Sequence, residues 1–267
     1  MTEAEQSQPL AAEHILVALD TSPNSTAALL AAAELAAALH MELRGLFVED
    51  INLLHLCGLP FGLEIGSFTA KPRRLETAQL ERDFRIQATV LRKTMADIAG
   101  QQRVSWSFKV VRGVVTQELL NAGSSAHMVS LGRIGRSPGK KIGSTAQALV
   151  RNTRRPVIVQ MRKPLAGPFL AAYTGDESSE NTLQFAIQLA VSRHSRLDVM
   201  LLNQSDEIKA EITQRLAEHA IESKVYSAHS SSAIIGIFSQ FTLGTVLLPA
   251  SAAEWLDEMD TNVIVVP

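Results

Sequence analysis

The chain has 267 residues, 46% of them hydrophobic, and a net charge of −2. This length accommodates one large domain or two smaller ones with a substantial core, and the near-neutral charge argues against general nucleic-acid binding. A single cysteine, Cys57, excludes an intrachain disulfide and fits a reducing compartment. The polar, acidic segment 1–13 does not have the pattern of a secretory signal and is predicted to be a disordered tail. These observations predict a soluble, cytoplasmic protein.

The first half of the chain alternates predicted strands and helices. The predicted strands are 14–19, 43–48, 104–111, 128–131 and 156–160. Between them lie predicted helices that include 29–39, 75–99, 115–122 and 145–152. The strands are mostly apolar, as in parallel strands that are covered on both faces, and the alternation predicts right-handed crossovers. We expect Gly100 to end the second of these helices.

A long connection, 51–74, follows the second predicted strand. Its apolar window near 51–68 is interrupted by Pro60, Glu64 and several glycines, so it does not predict a membrane span. A connection of this length is more typical of a flap or a partner surface than of a plain loop. We expect its large apolar residues to cover the core, with an exposed docking surface as the alternative. They are Leu53, Leu54, Leu56, Leu59 and Phe61.

The stretch from 127 to 159 combines a strand, a glycine-rich loop, a helix and a second strand. Glycine allows the backbone to approach a ligand closely, and the unpaired amides at a helix start attract anions. Seven Lys or Arg residues and no acidic residue lie from Arg133 to Arg155, so the local field favours a phosphate. The spacing from Gly135 to Lys141 is one residue short of a P-loop and lacks its hydroxyl. An ordinary strand-to-helix turn is the alternative.

The second half repeats the first. A shift of 154 residues aligns 15–48 with 169–202 without a gap, and nine of the 34 pairs are identical. The shared order of elements indicates a duplication. We therefore predict a first domain at 14–163, a linker at 164–168 and a shorter second domain at 169–267. His40 aligns with His194, and each is expected at the end of the first helix of its half.

The two halves differ where a ligand would bind. Asp20 aligns with Thr174, and the loop after the fourth strand of the second half, 249–255, contains no glycine and no basic residue. Acidic residues at this loop, which would repel a phosphate, are Glu254, Asp257, Glu258 and Asp260. A phosphate site is therefore expected in the first half, and the second half is a degenerate copy. The seven histidines show no metal-ligand spacing, so no metal site is predicted.

These residues resemble the universal stress protein family. Its signature is a first strand that ends in Asp and, after the fourth strand, Gly-x2-Gly-x9-Gly-Ser/Thr. Here Asp20 ends the first strand, Gly132 and Gly135 match the opening, and Gly143 with Ser144 matches the close across a seven-residue spacer. The resemblance implies an α/β fold of two tandem open-sheet, Rossmann-like domains, with strand order 3-2-1-4-5 and helices on both faces. It also implies a pseudo-dimer of the halves through their fifth strands, and a homodimer as a further expectation.

In nucleotide-binding members of this family the glycine loop holds the phosphates of ATP or a related nucleotide. The resemblance therefore implies that Asp20 and Val48 line the adenine–ribose end. The phosphates, with or without magnesium, are expected at Gly132, Arg133, Gly135, Lys140, Gly143, Ser144 and Thr145. For Asp20, a turn or helix-capping role is the alternative.

The implied function is a stress-response sensor that binds an adenine nucleotide and acts through an unidentified protein partner. No nucleic acid or membrane is expected as a partner, and no catalytic residue is predicted. Two alternatives stay open. One is a scaffold protein of the same fold that binds no nucleotide, and the other is a weak ATP hydrolase.

Overall fold

The computed structural model describes residues 13–59, 63–65, 72–74, 76–133, 142–161 and 164–267. Strands β1 to β12 are His14–Leu19, Glu42–Asp50, Leu63–Ile65, Pro72–Arg74, Trp106–Gly113, Met128–Gly132, Val157–Gln160, Phe169–Tyr173, Leu197–Leu202, Val225–Ala228, Thr245–Pro249 and Asn262–Val266. Helices α1 to α8 are Pro23–Leu39, Ile51–Cys57, Thr77–Gln102, Val115–Gly123, Ser144–Asn152, Glu177–Arg193, Asp206–Glu218 and Ser231–Phe238. Two 3-10 segments are Ser239–Phe241 and Ala250–Glu258.

Ten of the strands form one sheet, in the order β10-β9-β8-β11-β12-β7-β6-β1-β2-β5. Each half therefore has its strands in the order 3-2-1-4-5, and the predicted fold class is confirmed. All neighbouring strands of this sheet are parallel except β7 and β12, which pair antiparallel with Val159 opposite Val263. This pairing of the two fifth strands joins the halves into one continuous sheet, as the resemblance implied. β3 and β4 form a separate antiparallel pair.

The core lies in two layers, one on each face of the sheet. One face is covered by α1, α3, α6 and α7, with Leu29, Met95 and Leu183 among its fully buried side chains. The other face is covered by α4, α5, α8 and the segment Ala250–Glu258, with Leu149 fully buried. Because both faces are covered, the central strands are apolar on both sides, which explains the continuous apolar runs of the sequence.

The end of α3 differs from the prediction, whereas the ends of α1 and α6 agree with it. Gly100 does not end α3, which continues to Gln102 because Arg103 takes the left-handed conformation, with φ 55°. Its amide donates to the carbonyls of Ala99 and Gly100. His40 and His194, by contrast, end α1 and α6 in the same left-handed conformation, with φ of 55° and 49°. The predicted equivalence of these two histidines is confirmed.

The connection after β2 contains helix α2 and the β3–β4 pair rather than a plain loop. The expectation that its leucines cover the core is wrong for Leu53, Leu56 and Leu59, which are 38%, 46% and 39% exposed. Leu54 does pack against the core. Phe61 lies outside the described residues. Helix α2 has only seven residues, and it directs Leu54 to the core while Leu53 and Leu56 stay exposed.

Candidate functional site

A cavity of about 430 Å³ lies at the carboxyl ends of β1 and β6. These strands are neighbours from which the chain winds in opposite directions, so the cavity is at the topological switch point of the first half. Its volume is in the range of small-molecule pockets. Six of the residues predicted from the sequence line it: Asp20, Val48, Gly132, Gly143, Ser144 and Thr145.

The start of α5 presents backbone amides to the cavity. Gly143 precedes the helix with φ −71° and ψ 147°, and no side chain caps this helix start. The Gly143 amide donates to the carbonyl of Arg133 at 2.8 Å, and Gln147 donates back to the Gly143 carbonyl at 3.1 Å. The amides of the first turn have no acceptor within the helix, and their residues, Ser144, Thr145 and Ala146, line the cavity. This geometry is suited to an anion.

Asp20 organises the turn from β1 into α1. Its Oδ1 accepts a hydrogen bond from the Ser22 amide at 2.8 Å, and its own amide donates to Ser25 Oγ at 2.9 Å. The residue that caps α1 is Ser22, whose Oγ accepts from the Ser25 amide at 3.2 Å. Asp20 therefore has the turn role that was the alternative reading of the sequence, and it also lines the cavity.

Packing alone requires a glycine at position 132, independently of any ligand. A Cβ atom at this position would lie 2.8 Å from Asn24 Cβ and 2.9 Å from the Asn24 carbonyl carbon. The end of β6 therefore touches the first turn of α1, and only glycine fits this approach. Gly132 therefore lines the cavity and also allows β6 to pack closely against α1.

Arg133 departs from its predicted role. Its side chain is 3% exposed, and its Nη2 donates to the carbonyl of Leu256 at 3.0 Å, in the second half. Burial lowers the pKa of Arg133, while Asp260 and Asp257 act to raise it. The guanidinium is thus directed to the 3-10 segment Ala250–Glu258 and does not line the cavity, because the acidic segment of the second half attracts it.

The described basic residues of this stretch are not in contact with the cavity. Arg133, Arg151, Arg154 and Arg155 do not line it. Arg151 lines a separate cavity of about 270 Å³ between α5 and the segment Ala250–Glu258. The predicted phosphate residues Gly135 and Lys140 lie outside the described residues. Among the described lining residues, the attraction for an anion therefore comes from the α5 amides.

Several lining residues were missed by the sequence reasoning. The apolar wall includes Leu46, Val115, Leu119 and Leu131 in addition to Val48. The polar residues Asp50 and Asn52 also line the cavity, where Asp50 Oδ1 accepts from the Asn52 amide at 3.0 Å and caps α2. The signal that could have found Asp50 and Asn52 is their position at the end of β2 and just beyond it, since parallel strands end at the same edge of a sheet.

At the corresponding end of the second half, side-chain hydroxyl groups connect the segment after β11 with the turn after β8. Ser251, from the segment Ala250–Glu258, lies 3.1 Å from Thr174 Oγ1 and 3.3 Å from Ser178 Oγ. Thr174 and Ser178 also donate to Asp176. Burial acts to raise the pKa of Asp176, but hydrogen bonds from Ser251, the Ser179 amide, Thr174 and Ser178 outweigh it and bring the pKa to about 2. The 3-10 segment therefore follows β11 at the position where the glycine-rich loop follows β6 in the sequence of the first half.

The fold and the cavity define a doubly wound α/β protein with a ligand-sized cleft at the switch point of its first half. The model of the universal stress protein family matches residues 12–160, and the chain belongs to this family. Among the curated proteins, none is significantly similar. No described helix is long and apolar enough to cross a membrane. The described residues also contain no group of three or more His, Cys, Asp or Glu that could hold a metal ion.

The chain is similar to several solved structures. A universal stress protein from Archaeoglobus fulgidus DSM 4304 matches with a TM-score of 0.71 and 15% identity, over 96% of this chain and 99% of that chain. This match shows that the fold extends through both halves. A family protein from Burkholderia pseudomallei is 25% identical, with a TM-score of 0.38, over 56% of this chain and 96% of its own. A universal stress protein solved in complex with cAMP is 16% identical, with a TM-score of 0.41, over 58% of this chain and 100% of its own.

Proposed function

We propose that the first half binds ATP or a related adenine nucleotide in the cavity between β1 and β6. The observation that carries the proposal is that Asp20, Val48, Gly132 and the first residues of α5 line one cavity. Its lining combines apolar side chains, which suit a purine base, with the start of α5, whose amides suit phosphates. Asp20 and Asp50 also line it and would accept hydrogen bonds from ribose hydroxyls.

The biological role we propose is that of a stress-response sensor. Helix α2 is the element best placed to report the occupancy of the cavity, because Asp50 and Asn52 line it while Leu53 and Leu56 are exposed. A bound nucleotide changes the surface that α2 presents to a protein partner. Hydrogen exchange of residues 51–57, measured with and without ATP, tests this step. We expect slower exchange with ATP, and identical exchange in both samples would contradict the sensor role.

Isothermal titration of the full chain with ATP, ADP and AMP tests the binding itself. We expect Ser144→Asp to weaken binding at least about tenfold, because a carboxylate at the first position of α5 competes for the amides and repels phosphate. Ser231→Asp is a matched control, since Ser231 is the first residue of α8 and does not line the cavity. It should bind like the wild type.

The same titration separates this proposal from the scaffold alternative. No heat with any of the three nucleotides at high micromolar concentration would favour a scaffold without nucleotide. Equal affinity of the wild type and Ser144→Asp would place any binding outside this cavity. Turnover of ATP that is lost in Asp20→Ala would instead support the hydrolase.

A further inference from the structure

The net charge is small because the two halves of the chain have opposite charges that nearly cancel. Residues 13–163 contain 20 Lys or Arg and 12 Asp or Glu, whereas residues 164–267 contain 5 Lys or Arg and 13 Asp or Glu. Two helices, α3 and α7, have exposed charges of opposite sign along one side. They occupy equivalent places in the two halves because each follows the second strand of its half.

The outer face of α3 is basic with an apolar centre. Arg82, Arg85 and Lys93 are exposed on one side of the helix, where Asp97, one turn after Lys93, is the exposed acidic residue. Between them lie Ile86 and Val90, which are 56% and 53% exposed. No ion pair between described residues involves any of the three cations. We call this set, Arg82, Arg85, Ile86, Val90 and Lys93, the basic face.

The outer face of α7 is acidic and has a similar length. Glu207, Glu211 and Glu218 are exposed on one side of the helix, at intervals of four and seven residues. The exposed small residues Ala210 and Ala217 lie beside them and leave room for larger apolar side chains. We call this set, Glu207, Ala210, Glu211, Ala217 and Glu218, the acidic face.

The two faces cannot meet within one molecule. Helix α3 packs next to β5 and α7 next to β10, and these strands are the two ends of the ten-stranded sheet. Both helices cover the same side of the sheet. A neighbouring copy, however, can bring its acidic face onto the basic face, with Ile86 and Val90 packing over the alanines.

We propose that copies of this chain associate head to tail, with the basic face of one copy against the acidic face of the next. Because the two faces differ, each added copy leaves one face available for another copy. Such a heterologous contact produces an open chain or a closed ring rather than an isolated twofold dimer. Charge complementarity sets the register, and the apolar centre excludes water.

Sedimentation velocity on the full chain tests the proposal at two salt concentrations. At about 0.01 M ionic strength charges act over about 30 Å, and at about 1 M over about 3 Å. We expect the weight-average sedimentation coefficient to rise with protein concentration up to about 200 µM at low salt. This range is needed because a contact between two single helix faces is small and therefore weak. The apparent association constant should fall at least about tenfold at high salt. A monomer at every concentration at low salt would overturn the proposal.

Charge reversal identifies the two faces. The double variants R82E/R85E and E207K/E211K should each be monomeric at low salt, because each then presents two faces of the same sign. An equimolar mixture of the two should associate again, since every basic face then meets an acidic one. Failure of the mixture to associate, or association of either variant alone like the wild type, would overturn the head-to-tail contact.

Matched controls carry the same change in charge elsewhere. R151E/R154E, at the end of α5 and in the turn after it, and E254K/E258K, on the segment Ala250–Glu258, alter exposed residues on the opposite side of the sheet. Both should associate like the wild type. Equal thermal unfolding of all four variants and the wild type would show that the substitutions leave the fold intact. Loss of association in the controls would attribute it to net charge alone and overturn the proposal.

Discussion

At the scale of single residues, the same side chain often has a structural partner and a place in the candidate site. Asp20 holds the β1–α1 turn through the Ser22 amide and also lines the cavity. Gly132 permits the contact with Asn24 and also forms the cavity wall. A motif residue therefore cannot be assigned to ligand binding by its type alone, because packing requires the same residue at the same position.

The contact at Gly132 leads to a prediction about stability. Gly132→Ala should lower the free energy of unfolding by about 1–3 kcal/mol, because the added methyl group meets the backbone of Asn24, which cannot move aside. Urea unfolding measures it. Gly100→Ala is the matched control: nothing lies within 4 Å of its added Cβ, and α3 should gain about 0.5–1 kcal/mol. Equal effects of the two substitutions would contradict the close approach of β6 and α1.

At the scale of elements, the helix starts distinguish the two halves. Helices α1 and α6 are capped by the side chains of Ser22 and Asp176, respectively. Helix α5 has no side-chain cap and opens onto the cavity. The second half has no corresponding open helix after β11, because the segment Ala250–Glu258 takes that place and sends Ser251 to Thr174.

The Asp176 cap predicts a pH dependence of stability. Its pKa in the folded chain is about 2, below the ordinary value of 3.8, so its contribution is complete above about pH 4 and is lost as the pH falls toward 2. Asp176→Asn should lower stability by about 1 kcal/mol at pH 5, a small value because the carboxylate is exposed. The difference from the wild type should shrink as the pH falls to about 2.5.

Urea unfolding of both proteins at the two pH values measures this difference. Ser251→Ala removes one of the hydrogen bonds to Asp176 and should give an intermediate pH dependence. A difference between the wild type and Asp176→Asn that stays constant with pH would contradict the assigned cap.

At the scale of the whole molecule, the halves are joined by more than the β7–β12 pairing. Asn262 in β12 is fully buried, and its Oδ1 accepts from the Met161 amide at 2.9 Å while its Nδ2 donates to the Pro164 carbonyl at 2.7 Å. Leu165, in the predicted linker, is 3% exposed within the core. Met161, Pro164 and Leu165 are therefore held to the second half by hydrogen bonds and packing.

Removal of the two Asn262 hydrogen bonds between the halves should destabilise the whole chain. Asn262→Ala removes both hydrogen bonds of a fully buried side chain, to the half-buried Met161 and the exposed Pro164, so we expect a loss of about 2 kcal/mol in guanidinium unfolding. Asn181→Ala is a control in which the lost hydrogen bond, to the Pro267 carbonyl, is exposed. Its effect should stay below about 0.5 kcal/mol. A loss of stability in Asn262→Ala no larger than that in Asn181→Ala would contradict this role of the Asn262 hydrogen bonds.

The sequence by itself determined the alternation of strands and helices, the duplication and the half in which a site could form. These features depend on local periodicity and on residue types, which are properties of short segments. The resemblance to a family added the strand order, and with it the meeting of Asp20 with Gly132 and the start of α5.

Only the tertiary structure decided where side chains point and what closes each end of the sheet. Arg133 lies in the basic stretch by sequence, yet its guanidinium is bonded to Leu256, which is 123 residues away. The exposure of Leu53 and Leu56, the contact of Ser251 with Thr174 and the separation of the basic and acidic faces likewise depend on which distant segments pack together. Local patterns do not contain this information, because the partner of each side chain is chosen by the fold of the whole chain.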